Sequence, residues 1–136
     1  MEQNRSPVGR LMTDGVLSVQ GETPIANAAA TLVEEDVGSL VVRGEDGRVV
    51  GVFTNTDLAE FVAGGRSRDG ATVAEFMTDE VVTIGASDSL TEAAAKMIRH
   101  EVHHLPVTDD EGEIVGMLST MDLTAHFSYT GGSDMV

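Results

Sequence analysis

Residues 11–61 and 76–126 carry one pattern twice, in register and without a gap, at an offset of 65. Met12-Thr13-Asp14 returns as Met77-Thr78-Asp79, Ala28-Ala29-Ala30 as Ala93-Ala94-Ala95, Gly47 as Gly112, Gly51 as Gly116, and Asp57-Leu58 as Asp122-Leu123. A fixed period of this kind decides architecture before any local motif does. A unit of about 50 residues buries too little surface to be comfortable alone. The expectation is two copies packed face to face with pseudo-two-fold symmetry around one shared core, with function where they meet.

Within each copy the apolar pattern changes period in a fixed order. A short apolar run (Val16-Leu17-Ser18-Val19, then Val81-Val82-Thr83-Ile84) precedes a helical stripe of Ile25, Ala28, Ala29, Leu32 and Val33, repeated as Leu90, Ala93, Ala94, Met97 and Ile98. Thr23-Pro24 fits an N-cap followed by proline at the first helical position. Asp88 is the equivalent cap, with Ser89-x-x-Glu92 as a competing capping box. Two β-rich runs follow, Leu40 to Arg43 and Val49 to Phe53, then Leu105 to Thr108 and Ile114 to Leu118. Their connections contain Asp46-Gly47 and Glu111-Gly112, which supply the positive φ of a tight hairpin. A second helix starts near Asn55 or Thr56, reading through Leu58, Phe61 and Val62, and near Thr120 or Met121, reading through Leu123 and Phe127. The predicted fold is α/β (α+β): two βαββα repeats, at 11–63 and 76–127. Residues 1–10 form an N-terminal extension, the glycine-rich polar stretch within 64–75 a linker, and 128–136 a flexible tail.

Charge narrows the classes of partner. The 136 residues hold 23 acidic and 8 basic side chains, for a formal charge of −15, and Lys96 is the single lysine. Nucleic-acid backbones are bound by clusters of Lys and Arg, and none is present. An acidic, lysine-poor surface suits a salt-rich, halophilic cytoplasm, where short Debye lengths screen self-repulsion; an acidic mesophilic protein has the same composition. No run approaches the roughly 20 apolar residues that span a bilayer, and Met1-Glu2-Gln3-Asn4-Arg5 is too polar for a signal peptide. The expected location is cytoplasmic, without a membrane partner. With no cysteine, disulfides and thiolate chemistry are excluded.

The sharpest element shared by the copies is Gly51-Val52-Phe53-Thr54-Asn55-Thr56-Asp57, matched by Gly116-Met117-Leu118-Ser119-Thr120-Met121-Asp122. It places a hydroxyl and a carboxylate at the start of a helix, directly after an apolar strand. Backbone N–H groups there can hold a phosphate, and the carboxylate can accept bonds from a ribose diol. The same spacing fits a capping box with Asp in place of Glu or Gln, which is worth about 0.5–2 kcal/mol and needs no ligand. Spacing alone leaves both readings open.

Taken together, the Met-Thr lead-ins, the Ala-rich helix, His104-Leu105-Pro106-Val107 and the paired Gly-h-h-[Thr/Ser]-x-x-Asp segments (h, apolar) resemble the CBS domain. This is the cystathionine β-synthase module that occurs in tandem as a Bateman module. The resemblance covers nearly the whole chain and looks like the stand-alone prokaryotic, haloarchaeal type. It implies a disc-like homodimer and adenosyl ligands such as AMP, ADP, ATP or S-adenosylmethionine, held in two clefts as regulatory ligands rather than required cofactors. By the same resemblance, one cleft combines Thr54, Thr56 and Asp57 with Thr83 and the segment His103, His104, Leu105 and Pro106. The other combines Ser119, Thr120 and Asp122 with Ser18 and the segment Gly38, Ser39, Leu40 and Val41. Asp57 and Asp122 would hold ribose, and the hydroxyls ribose or phosphate. The first cleft, with its proline and imidazoles, is expected to be the tighter.

Other chemistry finds little support. In His100-x-x-His103-His104 a helix-to-strand break interrupts the cluster and no third ligand completes a zinc site. Met77, Met97, Met117 and Met121 fall at apolar positions suited to core filling. There is no nucleophile beside a base, and Asp57 and Asp122 belong to separate clefts, so no catalytic residue is assigned. Two functions remain: a regulatory adenosyl-binding module acting on a separate effector protein, and a scaffolding module whose aspartates merely cap helices.

Overall fold

A computed structural model describes residues 7–65 and 69–131 of the chain. In chain order the elements are α1 (Val8–Leu11), β1 (Thr13–Asp14), β2 (Ser18–Gln20), α2 (Ile25–Glu35), β3 (Ser39–Arg43), β4 (Val49–Thr54), α3 (Asn55–Ala63), α4 (Val73–Phe76), β5 (Ile84–Gly85), α5 (Leu90–His100), β6 (His104–Thr108), β7 (Ile114–Ser119) and α6 (Thr120–Gly131). The repeated order β2-α2-β3-β4-α3 and β5-α5-β6-β7-α6 is the predicted βαββα pattern. The described residues fall into two compact units, one within Leu17–Val81 and one joining Met1–Val16 to Val82–Val136.

The first unit is built on a sheet in the order β2-β3-β4. Because β2 and β3 run parallel, Ser18 opposite Val41, their link must cross over, and α2 makes that crossing. β3 and β4 form the hairpin predicted from Asp46-Gly47, with Gly47 at φ +86 and Ser39 opposite Thr54. Ile25, Ala28 and Leu32 of α2 and Phe61 of α3 pack with Leu40, Val42 and Phe53 of the sheet. The stretch after the linker completes this core: Ala71 and Val73 are buried, and Phe76 meets Phe61 edge to face at 5.0 Å.

The second unit repeats the plan with the sheet order β1-β7-β6-β5. Leu90, Ala93 and Met97 of α5 and Leu123 of α6 pack with Ile84, Leu105, Val107 and Leu118. Val8 of α1 closes this core as Val73 closes the other. Each unit thus has a cluster of buried apolar side chains of its own.

Each Met-Thr lead-in lies against the other repeat's sheet. Thr13 pairs with Met117 and Asp14 with Gly116, while Thr78 exchanges two backbone hydrogen bonds with Val52, both 2.9 Å. The approach is close enough to demand glycine. A Cβ on Gly51 would lie 2.6 Å from the Met77 sulfur and 2.9 Å from the Thr78 carbonyl oxygen, and one on Gly116 2.5 Å and 2.7 Å from the same atoms of Met12 and Thr13.

Several boundaries differ from the sequence-based expectation. Pro24, not Thr23, is the N-cap of α2. Ser89 caps α5 through the Ser89/Glu92 box, while Asp88 accepts the Gly85 N–H at 2.9 Å instead. Residues 8–11 and 73–76 are helical, and α6 runs on to Gly131, so ordered structure extends into the stretches expected as extension, linker and tail; residues 1–6, 66–68 and 132–136 lie outside the described residues. Val33, Ile98 and Val62, read as core positions, are exposed, as are Phe127 and Met121. Val33, Ile98 and Val62 directly follow the buried Leu32, Met97 and Phe61 and so flank the stripe that turns inward.

Candidate functional site

In the first unit the strand ends carry the Thr54-to-Asp57 segment to the start of α3. β4 ends at Thr54, which lies opposite buried Ser39, and the Asn55 N–H donates to the Gly38 carbonyl at 3.1 Å. Thr54 is the N-cap of α3: its hydroxyl accepts the Asp57 N–H at 3.3 Å, and the Asp57 Oδ2 accepts the Thr54 N–H at 2.9 Å. The Thr54 hydroxyl also donates to Oδ2, at 3.2 Å. The other carboxylate oxygen, Oδ1, accepts the Thr78 hydroxyl at 3.1 Å. Asp57 is only 5% exposed, and this burial raises its pKa against the lowering pull of the Thr54 and Thr78 bonds; Glu60 adds to the rise.

Around that carboxylate the other candidates divide. Leu40 is fully buried in the helix-side core, so it offers only backbone to a ligand. Thr56 is exposed on α3. Exposed Ser18 accepts a hydrogen bond from Arg43 Nε at 3.1 Å, and the same guanidinium donates to the Gly47 carbonyl at 2.9 Å.

The second unit offers the matching constellation with different occupancy. The Thr120 N–H donates to the His103 carbonyl at 2.9 Å, and His104 lies opposite Ser119. Asp122 Oδ2 accepts the Ser119 N–H at 2.8 Å, while the Asp122 N–H donates to the Ser119 hydroxyl at 3.1 Å. Among the described residues, nothing donates to the second oxygen of Asp122. Its counterpart of Thr78 is Thr13, which takes the equivalent register opposite Met117 but makes no hydrogen bond to Asp122. His104 is half-buried, and desolvation lowers its pKa; neighbouring His103 lowers it further, against the opposing pull of Asp122. Its imidazole is therefore biased to the neutral form.

Leu105 is buried in the core and Pro106 is buried on β6. The Thr83 carbonyl, just before β5, accepts Lys96 Nζ at 2.7 Å, so the one lysine of the chain covers the open edge of this sheet.

Within each unit the contacts group the candidates by repeat: Gly38 and Ser39 with Thr54 and Asp57, and His103 and His104 with Ser119, Thr120 and Asp122. These are neighbours within one unit; the resemblance pairs each aspartate with the junction segment of the other repeat. Both aspartates close capping boxes, so that reading of the motif is met in full, yet a capping carboxylate uses one oxygen and leaves the other for a further donor. Thr78 was missed by sequence reasoning; its recurrence as Thr13 in the Met-Thr-Asp triplet was the available signal. Among the described residues no three His, Cys, Asp or Glu side chains gather as metal ligands, and His100 and His103 are exposed.

A family model for the CBS domain matches residues 8–64 and 73–129. Homoserine O-acetyltransferase of Methanocorpusculum labreanum is 38% identical over 114 residues, 84% of this chain but 23% of that protein. The chain thus spans about a quarter of the length of that relative. A conserved protein of Pyrococcus horikoshii superposes with a TM-score of 0.82 at 33% identity, covering 90% of this chain and 92% of the other. A CBS domain pair in complex with 5′-methylthioadenosine and S-adenosyl-L-methionine superposes with a TM-score of 0.82 at 25% identity, over 92% and 98% of the two chains.

Proposed function

We propose, from the premise that this chain belongs to the CBS domain family, that it is a regulatory module which binds adenosyl ligands and acts on a separate effector protein. The observation that carries the reading is the Asp122 carboxylate. One oxygen is fixed by the Ser119 N–H, and the other is left to accept a hydroxyl beside the start of a helix. A ribose diol supplies such a donor, and helix-start N–H groups favour an anionic substituent. The solved CBS pair holding methylthioadenosine and S-adenosyl-L-methionine supports the ligand class. Regulation then requires only that the ligand bind one arrangement of the module better than another. No catalytic step is assigned to any residue, and a cytoplasmic location fits the reading.

The module acts as a homodimer through its helices. Val33 and Val62 in one unit, and Ile98 and Phe127 in the other, are equivalent at the offset of 65, and they are 80%, 68%, 79% and 54% exposed. Each unit thus offers the same apolar pair on its two core helices.

The test is a thermal-shift panel at molar KCl with adenosine, AMP, ADP, ATP, NAD, S-adenosylmethionine and GTP at matched concentrations. A ligand selective for the native state must raise Tm. An adenosyl-specific rise is expected. No rise with any of them would move the assignment to the scaffolding reading, which the capping role of both aspartates favours.

A further inference from the structure

We infer that the two halves of the molecule are unequal as ligand sites, because Thr78 latches the Asp57 carboxylate shut while the corresponding carboxylate of Asp122 stands open. The inference rests on the ligand-binding reading above and adds which site fills first. At Asp57 both oxygens are taken, Oδ2 by Thr54 and Oδ1 by the Thr78 hydroxyl at 3.1 Å, and the residue is 5% exposed. At Asp122 only Oδ2 is hydrogen-bonded, by the Ser119 N–H, and the residue is half-buried.

Equivalent residues create this difference. Thr13 and Thr78 stand in the same register, opposite Met117 and Val52, but only Thr78 reaches its aspartate. The Thr78 backbone is tied to Val52 in both directions at 2.9 Å, so the latch opens by rotation of the Thr78 side chain rather than by withdrawal of the strand. A carboxylate oxygen can accept two hydrogen bonds, as Oδ2 does from Thr54, so it is burial that shuts the site: with Asp57 5% exposed, a diol reaches Oδ1 only where the Thr78 hydroxyl now stands. Exchanging one hydrogen bond for another leaves little net gain, which weakens the Asp57 site by about tenfold relative to an unlatched one. The order of affinities is then the reverse of the order expected from the histidines and proline of the second repeat.

The experiment is a calorimetric titration of the full chain with AMP, and separately with S-adenosylmethionine, at molar KCl. Wild type should show one strong site, lost in Asp122→Asn and kept in Asp57→Asn. Thr78→Val keeps the β-branched shape but lacks the hydroxyl, so it should strengthen the second site about tenfold; Thr78→Ser should behave as wild type. Two equal sites in wild type, loss of the strong site in Asp57→Asn, or no effect of Thr78→Val overturns the latch. An absence of binding in every variant overturns the ligand reading and the ranking of sites with it. A ligand-free measurement separates the two failures. NMR titration of the Asp57 carboxyl should move upward in Thr78→Val, because the hydroxyl bond favours the charged form. An unmoved titration overturns the latch even if ligand binds.

Discussion

Asp57 shows how a surface motif becomes a buried charge with a cost. Its carboxyl is desolvated and its pKa lies above the usual value of 3.8, despite three hydrogen bonds that favour ionisation. A raised native pKa means that the folded state holds the proton to higher pH than the unfolded chain does. The associated stabilisation is therefore complete below about 3.8 and is lost as pH rises through the native pKa. Other carboxylates titrate in the same range, so the comparison has to be differential. Against Asp57→Asn, wild type should gain relative stability as pH falls from neutrality toward that window, read as the difference in Tm between the two proteins. A constant difference across pH would show that burial does not disfavour the charge. Gly51 and Gly116 are the complementary case at this scale. They recur in the sequence alongside the Met-Thr lead-ins, and the structure shows each glycine and one lead-in to be the two sides of a single close contact. That partnership joins residues from different repeats, so no local pattern could reveal it.

At the scale of elements, the repeats differ most at their first strands. β2 covers Ser18–Gln20, but β5 is confined to Ile84–Gly85 although both runs are apolar and β-prone. The cause lies on the neighbouring strand. Val41 donates its N–H to the Leu17 carbonyl at 3.0 Å, and Pro106, at the equivalent place, has no N–H to give. Pro106→Val should restore that donor, extend β5 toward Val82, and yield a residue-106 amide protected from hydrogen exchange. Rapid exchange of that amide would refute this account. Element order, the two hairpins and both starts of the closing helices were legible in the sequence because each depends on local chemistry: periodicity, a glycine at positive φ, a hydroxyl and carboxylate three apart. The length of β5 and the choice of Pro24 over Thr23 depend on partners distant in sequence. The flanking positions Val33 and Ile98 were misread because a helical stripe does not by itself say how wide the covered face is.

For the molecule as a whole, the formal charge of −15 sets the dependence on salt. The ion pair of Arg48 with Asp46, at 3.7 Å, joins two exposed side chains and offsets little of that repulsion. Stability should rise steadily with KCl as the Debye length shrinks from about 10 Å at 0.1 M to about 3 Å at 1 M. Chemical denaturation in urea at a series of KCl concentrations measures it, and a midpoint that falls with added KCl would contradict the expectation. The candidate site was only partly legible at this scale. The Thr54-to-Asp57 and Ser119-to-Asp122 segments stood out because they recur, but their difference lies in Thr78, contributed by the lead-in of the following repeat. The crossing of those lead-ins also fixes the path of the polypeptide. α1 and β1 lie on the same unit as α6, so residues 17–81 form a closed excursion from it, entered and left without a free end. A tether pulled at both ends of the described chain would, at its N-terminal end, load the contacts of Pro7, Val8 and Gly9 with Ser89, Asp88 and Ala86 and then the two-residue β1–β7 seam, and the excursion would feel tension only after these had torn.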